Sequence, residues 1–181
     1  MSAPVIRLPR TIRLDPSDTF VFERAAEPGE WAVSGSFLFM GADTAAMSIK
    51  QRHAFRSGFL GTASLGFATL ATVSEARSDE YEAAIEALAQ AFLSRLGAPD
   101  IEAAREAAQS EFGYARGLCD HPVNTLIAVQ RHFDSEGNLR EQFRTLRPRE
   151  GDDQQDALHK FARAFTFHEI DDETSPSVSV E

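Results

Sequence analysis

Apolar and polar residues alternate over residues 5–14. Ile6, Leu8, Ile12 and Leu14 fall on one side and Arg7, Thr11 and Arg13 on the other, the two-residue period of a half-buried strand. Pro9 has no N–H to give a ladder, which places this strand at a sheet edge. A turn follows at LDPSD. The stretch TFVFERAAEPGEWAVSGSFLFMG then alternates about Pro28-Gly29, a pair suited to the centre of a type II turn, where proline fixes φ and glycine accepts a positive one. A two-residue loop there predicts a hairpin with Phe22 facing Gly35 and Phe20 facing Phe37. Trp31, Val33 and Phe39 share that aromatic face.

The period then changes. Residues 43–57 predict a short helix with Asp43 as N-cap, and the glycine-punctuated RSGFLGTASLGFATLATV leads into a strand over residues 65–73, buried on most of its surface. Tyr81, Ile85, Leu88, Phe92 and Leu96 recur at steps of four, three, four and four, one apolar helical face. Ser78 is the expected cap, and Asp79, Glu80 and Glu82 suit the positive pole of the helix dipole. Gly97 ends this helix and Pro99-Asp100 opens a second, with the stripe Ile101, Ala104, Ala108, Phe112, Ala115 and Cys119. Mostly small residues on that stripe predict close backbone approach to a neighbour.

NTLIAVQRHFDSEGNLREQFRTL reads as another hairpin. A Ser135-Glu136-Gly137 loop, with Gly137 left-handed, pairs Phe133 with Leu139, Arg131 with Glu141 and Val129 with Phe143 on the face of Ile127. His132–Arg140, Gln130–Gln142 and Ala128–Arg144 fall on the other. The order of elements predicts an α+β fold, a mostly antiparallel sheet of two hairpins and further strands with helices packed on one face. Residues 1–150 form one domain on this reading. Residues 151–168 are a helical appendage, amphipathic through Leu158, Phe161 and Phe165, and the acidic tail 169–181 is expected to be disordered.

With 181 residues, 43% of them hydrophobic, the chain suffices for one real core. The net charge of −10 is uneven: residues 152–181 carry eight acids and two bases, so the tail contributes −6 and the body −4. A nucleic-acid binder needs a basic field to neutralise phosphate, so nucleic acid is not an expected partner. No apolar run approaches the roughly 18 residues that span a bilayer, and no secretory h-region is visible near the N-terminus. A single cysteine makes no internal disulfide. A soluble cytoplasmic protein is the expectation.

The blocks LPRTIRLDPSDTFVFE, PGEWAVSG, AFRSGFLG, LCDHPVNTLIAV and LREQFRTLRPRE resemble a bacterial protein family of unknown function, over roughly residues 8–150. The resemblance implies no assigned catalytic residue. It does suggest an accessory protein encoded near metabolic oxidoreductases, a context rather than a chemistry.

Candidate chemistry is thin. Cys119 and His121 lie together, but a helix C-terminus raises a thiol pKa, and Cys119 continues an apolar stripe, so a buried structural cysteine is favoured. GTASLG has the outer glycines of a phosphate loop but is followed by Phe67 and Ala68, not by the lysine that holds phosphates. The five histidines have no zinc spacing, and no metal or cofactor is expected. The 16 arginines against two lysines offer one group: Arg10, Arg13, Arg56, Arg144 and Arg147 would form an anion site if the first strand lay beside the last hairpin, since arginine suits carboxylate and phosphate. His121 and Asn124, in the helix-exit loop, are the other polar candidates. The first functional expectation is a non-catalytic accessory or interaction protein that self-associates as a homo-oligomer, with a protein partner. The alternative is a small-molecule or anion-binding module using the arginines. A third is an enzyme whose groups assemble from distant positions.

Overall fold

The computed structural model describes residues 4–146. Strand β1 (Ile6–Ile12) is followed by helix α1 (Asp18–Val21), β2 (Ala32–Val33), α2 (Ile49–Ser57), β3 (Phe59–Gly61), β4 (Phe67–Ala68), β5 (Leu70–Ala76), α3 (Ser78–Arg95), α4 (Ile101–Gly117), β6 (Leu126–Phe133) and β7 (Leu139–Leu146). A four-stranded antiparallel sheet has the order β1-β5-β6-β7, and a smaller one the order β2-β3-β4. The fold is α+β, as the pattern predicts. β1 lies at a sheet edge with Pro9 opposite Val73.

Local chemistry explains the helices. Ser48 and Gln51 form a reciprocal capping box on α2, which satisfies two N–H groups that would otherwise lack partners. Asp43 caps only a short 3-10 turn over Thr44–Ala46, so the helix expected from residue 43 starts six residues later. Arg77, not Ser78, is the N-cap of α3, its backbone N–H donating to Glu80. Asp100 caps α4 through Ala103 N. Ala104, Ala108, Phe112, Ala115 and Cys119 are all buried, and α3 packs on α4 around Leu88, Ala89, Phe92 and Phe112.

The hairpin expected across Pro28-Gly29 does not form. Gly29 takes the expected positive φ of +88°, but the residues after it find other partners. Thr11 N donates to Glu30 O, Arg10 bridges Trp31, and Ala32 and Val33 pair with Gly61 and Leu60. Phe20, freed from pairing, is 71% exposed on α1, while Phe22 packs with Phe39, Ala54 and Phe55. Gly35 is where the chain turns away. Its φ is +79°, and a Cβ there would lie 2.7 Å from Leu60 Cβ. Among the described residues the hairpins are β3–β4 and β6–β7. The strand expected over residues 65–73 is split between β4 and β5 at Thr69, whose N–H and hydroxyl donate to the buried Asp18 carboxylate at 3.2 and 2.6 Å. The 151–168 helix and the 169–181 tail lie outside the described residues.

The GTASLG loop holds an anion of its own. Glu30 accepts from Ala63 N at 3.0 Å, Ser64 N at 2.6 Å and Ser64 Oγ at 2.8 Å. The side chain thus stands where the glycine spacing alone suggests a phosphate. Leu65, next in the loop, is held at φ +57°, a conformation costly for a residue with a Cβ. Replacing Glu30 with alanine removes several charge-assisted hydrogen bonds at once. We expect a loss of about 2 kcal/mol, read as a lower urea midpoint. A change below roughly 0.5 kcal/mol would show that water replaces the carboxylate at no cost.

Candidate functional site

The β6–β7 hairpin has the predicted register, with Arg131 opposite Glu141 and Gly137 at φ +82°. This puts a guanidinium on the face that Ile127, Val129 and Phe143 share with Cys119 and Phe59. Arg131 is 2% exposed. Its Nη1 donates to Phe55 O at 2.9 Å and Ala54 O at 3.4 Å, and its Nη2 to Gly58 O at 2.8 Å and to Ser34 O. Three of those carbonyls belong to the end of α2 and the residue after it. There a cation both gives donors to helix-end carbonyls, of which Ala54 O also accepts from Gly58 N, and meets the negative pole of the helix. Nε stands 3.6 Å from Glu141 Oε2, close enough for charge attraction and too long for a hydrogen bond. Burial draws the guanidinium below its ordinary pKa, and Glu141, Tyr114 and Glu111 act the other way.

Beside this ion pair a cleft of about 520 Å³ opens between α4, the 36–41 segment and the tip of the hairpin. Phe37, Met40, Tyr114, Phe133 and Leu139 supply apolar wall, and Glu111 and Glu141 supply carboxylates. Glu111 and Tyr114 are three residues apart on one flank of α4, which is the spacing of neighbours on a helix surface. The 3-10 turn Ser36–Phe39 brings Phe37 in, where its ring meets Phe92 edge-on at 5.1 Å. Phe133 stacks on Phe55 at 5.1 Å. Glu141 Oε2 accepts from Ser34 Oγ at 2.7 Å. Glu111 makes no hydrogen bond among the described residues. Burial first, then the charge of Glu141, push its carboxyl up to about 7, with Arg131 opposing. Burial likewise pushes the Tyr114 hydroxyl up to about 12. A half-buried carboxyl raised toward neutrality in an aromatic cleft marks a candidate binding or reacting group.

The residues singled out from sequence lie elsewhere. Arg10 stacks over Trp31 at 3.9 Å, and Arg13 donates to Ala26 O at 2.7 Å. Arg144 is on β7, with β5 and β6 between it and β1, three strand spacings or about 14 Å away. Arg56 is exposed in the last turn of α2, and Arg147 lies outside the described residues. The structure therefore does not bring the first strand beside the last hairpin, and Arg10 and Arg13 do not meet Arg144. In the helix-exit loop, the backbone carbonyl of His121 accepts from Arg7 at 3.2 Å. Asn124 has φ +70° and gives its backbone N–H to Val73 O, a left-handed turn that asparagine tolerates better than most residues. Cys119 is 1% exposed, and burial pushes its thiol up to about 12. That environment suits a packed thiol, not a thiolate. Among the described residues no group of three or more His, Cys, Asp or Glu could hold a metal ion, and no helix is long and apolar enough to cross a membrane.

Fold and cleft together define an α+β protein with a polar-floored apolar cleft at one end of its main sheet. A family model described as a family of unknown function, DUF6505, matches residues 6–164, and the chain belongs to that family. Neither a curated protein nor a solved structure matches it.

Proposed function

We propose that the chain is a non-catalytic binding protein whose recognition site is the cleft over Glu111 and Glu141, and that its ligand is a small molecule. The observation that carries this reading is Glu111, a carboxyl with no hydrogen-bond partner among the described residues, set in a cleft of about 520 Å³ walled by Phe37, Tyr114 and Phe133. Its oxygens are open to the cleft, where a ligand N–H can take the place of water and make a charge-assisted hydrogen bond. This reading is closest to the alternative expected from the sequence, a small-molecule binding module, with the cleft in place of the arginine group. The position of Glu111 near neutrality favours one second reading, general acid–base chemistry on a ligand in the same cleft.

Native mass spectrometry of untagged protein isolated from its own source tests both. We expect a small non-protein mass that is lost on unfolding, and that is lost from a Ser110→Trp variant, in which an indole enters the cleft. Chains with no extra mass, or an extra mass that survives Ser110→Trp, would overturn the proposal. Consumption of the identified ligand by excess protein would transfer support to the acid–base reading. The same spectrum reads the expected homo-oligomer, for which Phe20 and Ile49, 71% and 86% exposed, provide apolar surface on the packed pair α1 and α2.

A further inference from the structure

We infer that the cleft selects an organic cation, an amine or guanidinium carried on a flat apolar body, with the cationic group between Glu111 and Glu141 and the body against Phe37, Tyr114 and Phe133. This rests on the reading of the cleft as a small-molecule site and names its ligand class.

The cleft is lined by two carboxylates and one guanidinium, that of Arg140. Arg140 is already held by Asp134 Oδ2 at 2.8 Å. Arg131, behind the wall, has its Nη1 and Nη2 committed to the carbonyls of Ala54, Phe55, Gly58 and Ser34. It offsets the charge of Glu141, which its Nε faces at 3.6 Å, and its other N–H groups are turned to those carbonyls and not to Glu111. Glu141 Oε2 is used by Ser34 Oγ and faces Arg131 Nε. Among the described residues, Glu141 Oε1 and both oxygens of Glu111 accept nothing. Three acceptors without donors, in a site with a surplus negative charge, match a ligand that brings N–H groups and positive charge. The walls agree, because the faces of aromatic rings attract cations. An anion would meet two carboxylates, with the Arg140 charge already paired to Asp134 and Arg131 buried and facing Glu141.

In the empty cleft a proton does part of the cation's work. The groups facing Glu111 are Glu141, which favours its protonation, Arg131, which opposes it, the neutral Tyr114 hydroxyl, and Arg140 paired with Asp134. A bound cation must displace that proton, so binding should strengthen as pH rises toward 8. At pH 5.5 only a few per cent of Glu111 is ionised if it titrates near 7, so the affinity is expected to be about ten-fold or more weaker than at pH 8.

The test uses two probes of similar size and opposite charge, phenethylamine and 3-phenylpropionate, titrated into the full chain at pH 8 and pH 5.5 and followed by amide chemical-shift changes. We expect the amine to bind, with shifts at Glu111, Tyr114 and Glu141, to weaken at pH 5.5, and to be lost in Glu111→Gln. Glu141→Gln serves as a second variant should the first fold poorly. Binding of the propionate in place of the amine would overturn the cation inference and leave the cleft reading intact. Equal binding of both, or amine binding unchanged in both glutamine variants, would do the same. Failure of both probes alongside a retained neutral ligand in the native mass spectrum overturns the cation inference alone. Failure of both with no retained mass overturns both readings.

Discussion

Arg131→Met is expected to cost about 3–5 kcal/mol, the range seen when one partner of a buried ion pair is removed. The side chain is fully buried, and methionine replaces its apolar stem while supplying no donor. The carbonyls of Ala54, Phe55, Gly58 and Ser34 would all lose a donor, and each buried acceptor left unsatisfied carries its own penalty. Glu141, only 11% exposed, would keep its charge and lose the cation beside it. The end of α2 would lose its hydrogen bonds to β6 and keep the Phe55–Phe133 stack. In urea the midpoint should fall by about 2 M. Arg131→Lys should sit between the two proteins, because one ammonium cannot reach acceptors that a planar fork spans. Adding Glu141→Leu to Arg131→Met should recover part of the loss by removing the orphaned charge. A loss below about 1 kcal/mol for Arg131→Met would mean that water enters and replaces the guanidinium, and that the cleft floor is soft.

How much of this was legible in the sequence depends on the range of the interactions involved. The β6–β7 register could be read residue by residue because one turn sets it: Gly137 fixes the loop, and alternation then fixes every pair, Arg131–Glu141 included. The apolar faces of α3 and α4 were readable for the same local reason. The Pro28-Gly29 segment had an equally good local pattern and a different outcome. Its residues 30–33 choose between a neighbour in sequence and the more distant β1 and β3, and the distant strands win. The split of the 65–73 strand is likewise non-local, because it depends on Asp18 reaching Thr69 from 51 positions away. The arginines group near the two ends of the core in sequence, and only the strand order β1-β5-β6-β7 separates Arg10 from Arg144. The cleft itself was half visible. A charged pair on an otherwise apolar hairpin face was a sign of a buried polar centre. Nothing in α4 said which flank would meet the hairpin, so Glu111 and Tyr114 went unmarked.

Glu111→Gln should make the protein more stable at pH 8 and leave it nearly unchanged near pH 4.5. In the folded chain Glu111 keeps its proton up to about 7, against an ordinary value of 4.5. Between those two values the folded state binds more protons than the unfolded state, so stability falls as pH rises through that window and levels off above it. The full shift would correspond to about 3 kcal/mol, and partial access to solvent reduces this to about 2 kcal/mol at pH 8. Glutamine is neutral throughout and of the same shape, so the difference between the two proteins, followed by urea titration from pH 4.5 to 8, isolates this one group. The lowered carboxyls of Asp15, Asp79, Glu86 and Asp134 work at the acid end and are common to both proteins. A residue that costs stability at neutral pH and is bettered by its own amide is the kind of feature found where function, not folding, sets the choice. The same variant should therefore gain stability and lose the amine. If Glu111→Gln is instead less stable at pH 8, the carboxylate has a partner that holds the fold together, and the cleft reading loses the observation that carries it.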